Sequence, residues 1–461
     1  MVYVFSGIYH TECHIIKETP QSSLSFIKNR DIINEYLTYY KYCNFFVFKM
    51  TSCIISLIMI LERLTFRIGV CTMSNNKKIL IITGSYGNGH ISVTNAIVNQ
   101  LNRMQLSQLT VIEHDLFQEA HPIINSIAKK YYINSYKYFR NSYRYFYYAN
   151  QDKPESCFYR YYGLNRLINL ILKEKPDLIL LTFPTPVMSI IKKELNIHIP
   201  VATVITDYTM HKNWLTPNSN RYFVATEALK SELVALGVDE GIVDITGIPI
   251  HESFNDPVDR DAWLLSHGLS PERKTLLMVA GAFGVVGGFN EMLKDLTATC
   301  THQFVVVCGN NTQLLQQLQS EYKDNHNVVI IGYTQQMAQW MSCCDLMLTK
   351  PGGITISESL CKSIPLVFFN PAPGQEGENA IYFTKKGFSR ITQTYEETTS
   401  TVLELLSDAV LLNQYKHNMQ QHYIPDASLN ISRTLLQMLD HTSSDAMITS
   451  KAGLYARLFA K

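Results

Sequence analysis

The sequence predicts an α/β protein of two doubly wound halves, each a parallel sheet clad in helices and facing the other across a cleft. Three observations carry that reading. From Lys77 onward, short runs of Ile, Val and Leu alternate with helix-length amphipathic stretches, the pattern of strands buried on both faces and joined by crossover helices. The strands run into glycine-containing turns, where open α/β sheets bind ligands. A polar stretch, Asn255–Arg273, interrupts the alternation after Gly247-Ile248-Pro249 and divides the chain.

In chain order, residues 1–72 come first and do not fit. The apolar run Phe45–Leu61 is broken by Lys49, short of the ~20 residues that span a bilayer and too far from the start for a signal peptide. Met73 opens Met-Ser-Asn-Asn-Lys-Lys directly before a strand. Ile68-Gly69-Val70 can be encoded as a bacterial ribosome-binding sequence. Translation is therefore expected to begin at Met73, with 1–72 a mis-annotated leader. The first half, 73–256, holds strands over Lys77–Thr83, Leu109–Asp115, Asp177–Thr182, Pro200–Thr206, Arg221–Thr226 and Val243–Thr246. The second, 257–440, holds Thr275–Ala280, Gln303–Gly309, Asn327–Gly332, Leu346–Lys350 and Pro365–Asn370. A tail, 441–461, closes the chain.

Composition removes several classes of function. Of 461 residues 46% are hydrophobic, enough for large cores, so wholesale disorder is excluded. The net charge is +1, so no global field draws the chain to nucleic acid. Ten Cys without a Cys-x-x-Cys pair describe neither a zinc site nor a redox motif, and reduced thiols are expected.

The chemistry concentrates in the turns. The first strand ends in Thr83-Gly84-Ser85-Tyr86-Gly87-Asn88-Gly89-His90, which is neither a Walker loop nor a dinucleotide fingerprint. His90 at its mouth is a candidate general base; the bland alternative is a polar cap in a tight turn. Ala280-Gly281-Ala282-Phe283-Gly284 and Lys350-Pro351-Gly352-Gly353 follow strands of the second half. Their N–H groups could hold a diphosphate without a metal. Glu358, one turn into the helix after Gly353, could accept both hydroxyls of a ribose, or simply be solvated. Pro371–Asn379 gathers the amide and carboxylate groups that read sugar hydroxyls.

The segments Ile82–Thr94, Thr182–Met188, Thr206–Trp214, Thr246–Ile250, Thr349–Ile356 and Asn370–Glu376 together resemble the processive diacylglycerol β-glucosyltransferases of Gram-positive bacteria. The likeness runs from Met73 to Lys461. Plant monogalactosyldiacylglycerol synthases and the bacterial enzyme that makes lipid II are more distant relatives. The resemblance implies a GT-B fold of two Rossmann-like domains, lipid acceptor on the first and UDP-glucose on the second. It implies inverting transfer of glucose to diacylglycerol and then to glucosyl-diacylglycerol, giving the glycolipid anchor of lipoteichoic acid. It implies no metal and no cofactor, UDP-glucose being a substrate. Residue by residue, His90 matches the family's base or loop organiser, with Gly87 and Gly89 as the loop. Glu358 matches the ribose ligand, Gln375 and Glu376 the donor-sugar contacts, and Asn379 their neighbour. Gly284, Gly352 and Gly353 fall in the donor loops, and Tyr333 and Thr334 match the uracil-facing turn. Asp207, His211 and Trp214 match the acceptor-side motif. For Asp207 a catalytic role and a strand-end cap stay open. A galactosyl- or N-acetylglucosaminyltransferase, or a non-catalytic UDP-sugar sensor, are the competing readings.

Residues 126–166 interleave basic and aromatic side chains, Lys137, Arg140, Arg144, Tyr145, Tyr148 and Arg166 among them. Tyr suits the headgroup layer, and Lys and Arg favour an anionic leaflet. Base stacking or an ordinary aromatic core would use the same residue types. Leu454, Leu458, Tyr455 and Phe459 in the tail share a helical side, as in interfacial segments. A peripheral protein on anionic lipids at the cytoplasmic side of the cell membrane is expected, with no nucleic-acid partner.

Overall fold

The computed structural model describes residues 76–85, 88–123, 125–126, 161–195, 197–216, 219–280 and 288–440. The leader with its Met73 boundary, Gly87, Gly284, the residues Lys137, Arg140, Arg144, Tyr145 and Tyr148, and the tail 441–461 lie outside the described residues.

The first half runs β1 (Lys77–Thr83), α1 (Asn88–Arg103), β2 (Leu109–Asp115), α2 (Leu116–Ala120), α3 (Leu164–Glu174), β3 (Leu178–Leu181), α4 (Val187–Leu195), β4 (Val201–Val204), β5 (Arg221–Val224), α5 (Glu227–Ala235) and β6 (Val243–Ile245). The second runs α6 (Arg260–Ser266), β7 (Thr275–Val279), α7 (Phe289–Thr299), β8 (Gln303–Val307), α8 (Thr312–Glu321), β9 (Val328–Ile331), α9 (Met337–Cys343), β10 (Leu346–Thr349), α10 (Gly353–Lys362), β11 (Leu366–Phe369), α11 (Gln375–Lys385), β12 (Ser389–Thr392), α12 (Tyr395–Ser407), α13 (Ala409–His422) and α14 (Ala427–Asp440).

Among the described residues these strands form two six-stranded sheets, β2-β1-β3-β4-β5-β6 and β12-β11-β10-β7-β8-β9. Every neighbouring pair is parallel. The chain reverses its direction of travel between β1 and β3 in one sheet and between β7 and β10 in the other. Crevices open there beyond the carboxyl ends of the strands. Central strands are buried throughout: Ile79 to Ile82 and Leu178 to Leu181 in the first core, Leu276 to Met278 and Leu346 to Leu348 in the second.

The amino ends of the two sheets are tied by one device. Asp177, just before β3, accepts from the Lys78 N–H at 2.8 Å and pairs with Lys77. Asp345, just before β10, accepts from the Thr275 N–H at 3.0 Å and pairs with Lys274 and Arg260. Each aspartate fastens the strand it precedes to the first strand of its half, at the reversal that defines the sheet.

Three features depart from the sequence reading. β12 was not foreseen. The last described helix, α14, was counted with the second half by position, yet it packs on α1 and β3 of the first, and its buried side is Ile431, Leu435, Leu436 and Leu439. Two members of the aromatic and basic segment are structural instead: Tyr162 is buried and stacks on Phe117 at 5.3 Å, and Arg166 is paired with Glu119 at 2.6 Å.

Candidate active site

The site forms where the two sets of carboxyl ends meet. On the first half, β1 passes through Gly84 into the loop. A Cβ at Gly84 would stand 2.8 Å from the Phe183 ring, so this glycine lets the loop lie flat on the end of β3. Ser85 anchors the loop to Asp115 at the end of β2 through its N–H at 3.1 Å and its hydroxyl. Asp115 also caps α2.

His90 sits in the first turn of α1. Its Nδ1 lies 3.0 Å from the Thr182 carbonyl oxygen and 2.9 Å from the Thr206 hydroxyl. A carbonyl only accepts, so Nδ1 carries the hydrogen and Nε2 keeps its lone pair. The Phe183 ring meets the imidazole edge-on at 4.8 Å, and Trp214 lies 6.0 Å away. Burial pushes the His90 pKa down to about 4, more than the Thr182 hydrogen bond raises it. The imidazole is therefore neutral at physiological pH, in the tautomer a general base requires.

The segment after β4 supplies the next residues. Asp207 is buried, and burial lifts its carboxyl to about 6, outweighing the lowering influence of the nearby polar side chains of Gln375, Asn379 and Trp214. It does not hold His90, whose Nδ1 partners are Thr182 and Thr206, so the two residues expected to be catalytic are not a pair. His211 caps the turn Lys212–Trp214 by accepting from the Asn213 N–H at 3.2 Å, and burial lowers its pKa. Trp214 is itself buried.

On the second half, α10 begins at Gly353 with no acidic residue in its first turn and no side-chain cap. Its first N–H groups and dipole suit an anion. α11 begins at Gln375 and carries Glu376 and Glu378 in its first turn, which suits hydroxyl groups rather than phosphate. Gly374 introduces it at φ 87°, ψ −142°, a conformation essentially reserved for glycine. Glu376 accepts from the Ala372 N–H at 3.4 Å. Glu358, in the middle of α10, has its carboxyl pushed up to about 8 by burial. Ribose hydroxyls donating to it would favour its ionised form.

The two halves touch across these groups. A Cβ on Gly89 would lie 3.5 Å from Ile354, so the His90 turn adjoins the start of α10. A Cβ on Gly353 would lie 2.3 Å from the Thr206 carbonyl oxygen, whereas one on Gly352 would meet nothing within 4 Å. Gly353, expected in the diphosphate loop, thus admits the backbone of the other half. Asn379 also differs from expectation. Its Nδ2 donates to the Pro351 carbonyl at 3.1 Å and its Oδ1 accepts from the Tyr208 N–H at 3.3 Å. The amide is engaged in bracing, so it is not an open contact for the donor.

Tyr333 and Thr334 follow β9; Tyr333 is exposed, and the Thr334 hydroxyl accepts from the Gln336 N–H at 3.0 Å. The sequence reading missed Thr182, Thr206, Tyr208 and Ser357. Thr182 and Thr206 lie inside motifs already singled out, flanking the residues chosen. It also passed over Asp259-Arg260-Asp261, an Asp-x-Asp spacing. Asp259 caps α6 through the Ala262 N–H at 3.1 Å, and Asp261 lies beside Arg260. Among the described residues there is no group of three or more His, Cys, Asp or Glu side chains suited to a metal.

With this geometry in place, comparison with known proteins is informative. The profile of the family "Monogalactosyldiacylglycerol (MGDG) synthase" matches residues 90–250, opening on His90. That of the "Glycosyltransferase family 28 C-terminal domain" matches residues 285–429. A relative from Staphylococcus aureus strain Newman, named processive diacylglycerol beta-glucosyltransferase, is 53% identical over 390 residues, 84% of this chain and 100% of its own. Among solved structures, Acinetobacter baumannii MurG superposes with a TM-score of 0.53 at 17% identity, over 78% of this chain and 99% of that one. A glycotransferase of kitacinnamycin gives 0.54 at 15% identity, over 79% and 100%. These likenesses show the fold, the GT-B arrangement of two Rossmann-like domains.

Proposed function

Because the chain belongs to the family of the processive diacylglycerol β-glucosyltransferases, we infer that it transfers glucose from UDP-glucose to diacylglycerol and then to the glucosyl-diacylglycerol formed. The observation that carries the chemistry is the neutral His90, its Nε2 lone pair left unprotonated by the bond from Nδ1 to the Thr182 carbonyl and its turn set against the start of α10. The acceptor hydroxyl gives its proton to Nε2 as its oxygen attacks the anomeric carbon. The bond to UDP breaks in the same in-line step, with inversion. Charge developing on the departing diphosphate meets the amino end of α10, which has no side-chain cap. Glu358 holds the ribose, and Gln375 and Glu376 the sugar, in the subsite at the start of α11. No residue in this scheme needs a metal to do its part.

Product analysis after incubation with diacylglycerol and either UDP-glucose or UDP-galactose tests the assignment. Glucosyl- and then diglucosyl-diacylglycerol from UDP-glucose is expected. Galactolipid as the main product would replace it with the galactosyltransferase reading, and UDP-sugar binding without UDP release would make the chain a sensor.

The lipid acceptor supports peripheral attachment to the cytoplasmic leaflet. Among the described residues no helix is long and apolar enough to cross a membrane. The docking surface is assigned to Lys137, Arg140, Arg144, Tyr145 and Tyr148 on composition, with anionic lipid headgroups as partner. Reversing Lys137, Arg140 and Arg144 to Glu should abolish binding to anionic vesicles while UDP-glucose binding persists. Vesicle binding indifferent to that reversal and to added salt would remove the electrostatic part.

A further inference from the structure

Two oxygens of different kinds grip the Nδ1 edge of His90. One belongs to the main chain: the Thr182 carbonyl, 3.0 Å away. Thr182 is itself fixed, its N–H bonded to the Ile82 carbonyl at 3.0 Å and its hydroxyl 2.7 Å from that of Thr94. Thr94 donates to the His90 carbonyl at 3.0 Å, so the backbone of the histidine is tied to the same strand end. The other oxygen belongs to a side chain, the Thr206 hydroxyl, 2.9 Å from Nδ1. Thr206 is buried, and its main chain is held on both sides. Ile205 before it donates to the Phe223 carbonyl at 2.9 Å. The Thr206 carbonyl lies so close to Gly353 that a Cβ there would stand 2.3 Å from it.

With the hydrogen on Nδ1, both oxygens accept it. When Nε2 takes the proton of the acceptor hydroxyl, the ring becomes an imidazolium, and a hydrogen bond from a charged donor is stronger than one from a neutral donor. Both bonds therefore tighten as the transition state forms. We propose that Thr206 is a positioning residue for the transfer: its hydroxyl holds His90 in the orientation and tautomer that leave Nε2 open to the acceptor, and the contact of its carbonyl with Gly353 sets that hydroxyl, and with it the base, against the amino end of α10. The proposal rests on the reading of His90 as the general base.

The test measures UDP release from UDP-glucose with diacylglycerol as acceptor. Thr206→Val removes the hydroxyl at nearly constant volume. It should lower kcat by about tenfold or more, the factor carried by one hydrogen bond to a charged group, and leave KM for UDP-glucose within about twofold. Thr206→Ser keeps the hydroxyl and should restore most of the lost kcat. The decisive measurement is a double-mutant cycle. In a His90→Ala background Thr206→Val should change kcat by no more than about twofold, because the group it acts through is gone. A loss of the same size in both backgrounds, a serine variant as slow as the valine, or a raised KM at unchanged kcat would overturn the proposal. His90→Ala alone separates the two layers. Near-native turnover there removes the base reading and the positioning role with it; a fall of decades there, with Thr206→Val at wild-type kcat, removes the positioning role alone. Should Thr206→Val fail to fold, Gly353→Ala carries the test, since its Cβ must displace the Thr206 carbonyl. Lower kcat at saturating UDP-glucose supports the proposal, and unchanged kcat overturns it.

Discussion

The two halves are alike at the amino ends of their sheets and unlike at the carboxyl ends. Asp177 and Asp345 occupy equivalent places and do the same thing, each clamping the N–H of a first-strand residue beside a lysine. At the opposite ends, one half offers a histidine in a glycine turn and the other two helix starts of contrasting charge. α10 is free of first-turn acid and α11 carries two. Stability is thus vested in a feature both halves keep, and chemistry in the features where they differ. Glycine-rich turns that look interchangeable in sequence are told apart by the charge of the helix that follows.

The contrast predicts that substitutions at the carboxyl ends change rate or affinity at constant stability, and those at the amino ends the reverse. The largest effect belongs to His90→Ala, which should lower kcat by about two to four decades with UDP-glucose affinity kept. Because His90 is neutral above about pH 4, the wild-type rate profile should show no limb from it near 6.5. Near-native turnover would return His90 to a loop-packing role.

Next, Glu358→Ala should weaken UDP and UDP-glucose alike by about 10–100-fold. With its carboxyl near 8 before binding, Glu358 is mostly protonated at pH 7, and ribose favours the ionised form. Nucleotide uptake at pH 7 should release a proton, and affinity should climb with pH until about 8. Calorimetry in two buffers of different ionisation enthalpy reads the proton; none released, or an unaltered Glu358→Gln variant, takes Glu358 out of the ribose site.

The smallest effects separate the two clamps. Asp345→Ala leaves Lys274, Arg260 and the Thr275 N–H without their acceptor at a site whose aspartate is 7% exposed, and should cost about 2–4 kcal/mol. Asp177, at 24% exposure, should cost about 1–2 kcal/mol. Urea midpoints measure both. A change in substrate affinity of the folded variants would break the division of labour.

Most of the fold was legible because parallel strands buried on both faces read as continuous Ile, Val and Leu. β12 escaped because Ser389-Arg390-Ile391-Thr392 lies at a sheet edge, with Arg390 exposed, and has no such run. The site was legible as motifs but not as partnerships. His90 could be named from its loop, but its tautomer depends on a carbonyl 92 residues away. Gly353 could be read as a turn glycine, but not as the point where Thr206 presses in. Asn379 sat in the right motif, and only its bonds to Pro351 and Tyr208 reveal that it braces.

The return of α14 to α1 and β3 sets an order for biosynthesis. A chain leaving the ribosome exposes the first half long before residues 427–440 emerge, and that half then lacks a helix whose buried side is Ile431, Leu435, Leu436 and Leu439. The second half, complete through α13, can finish folding before the first does. Domains commonly mature in the order they are made; here the first-made domain is sealed by a helix made after the second.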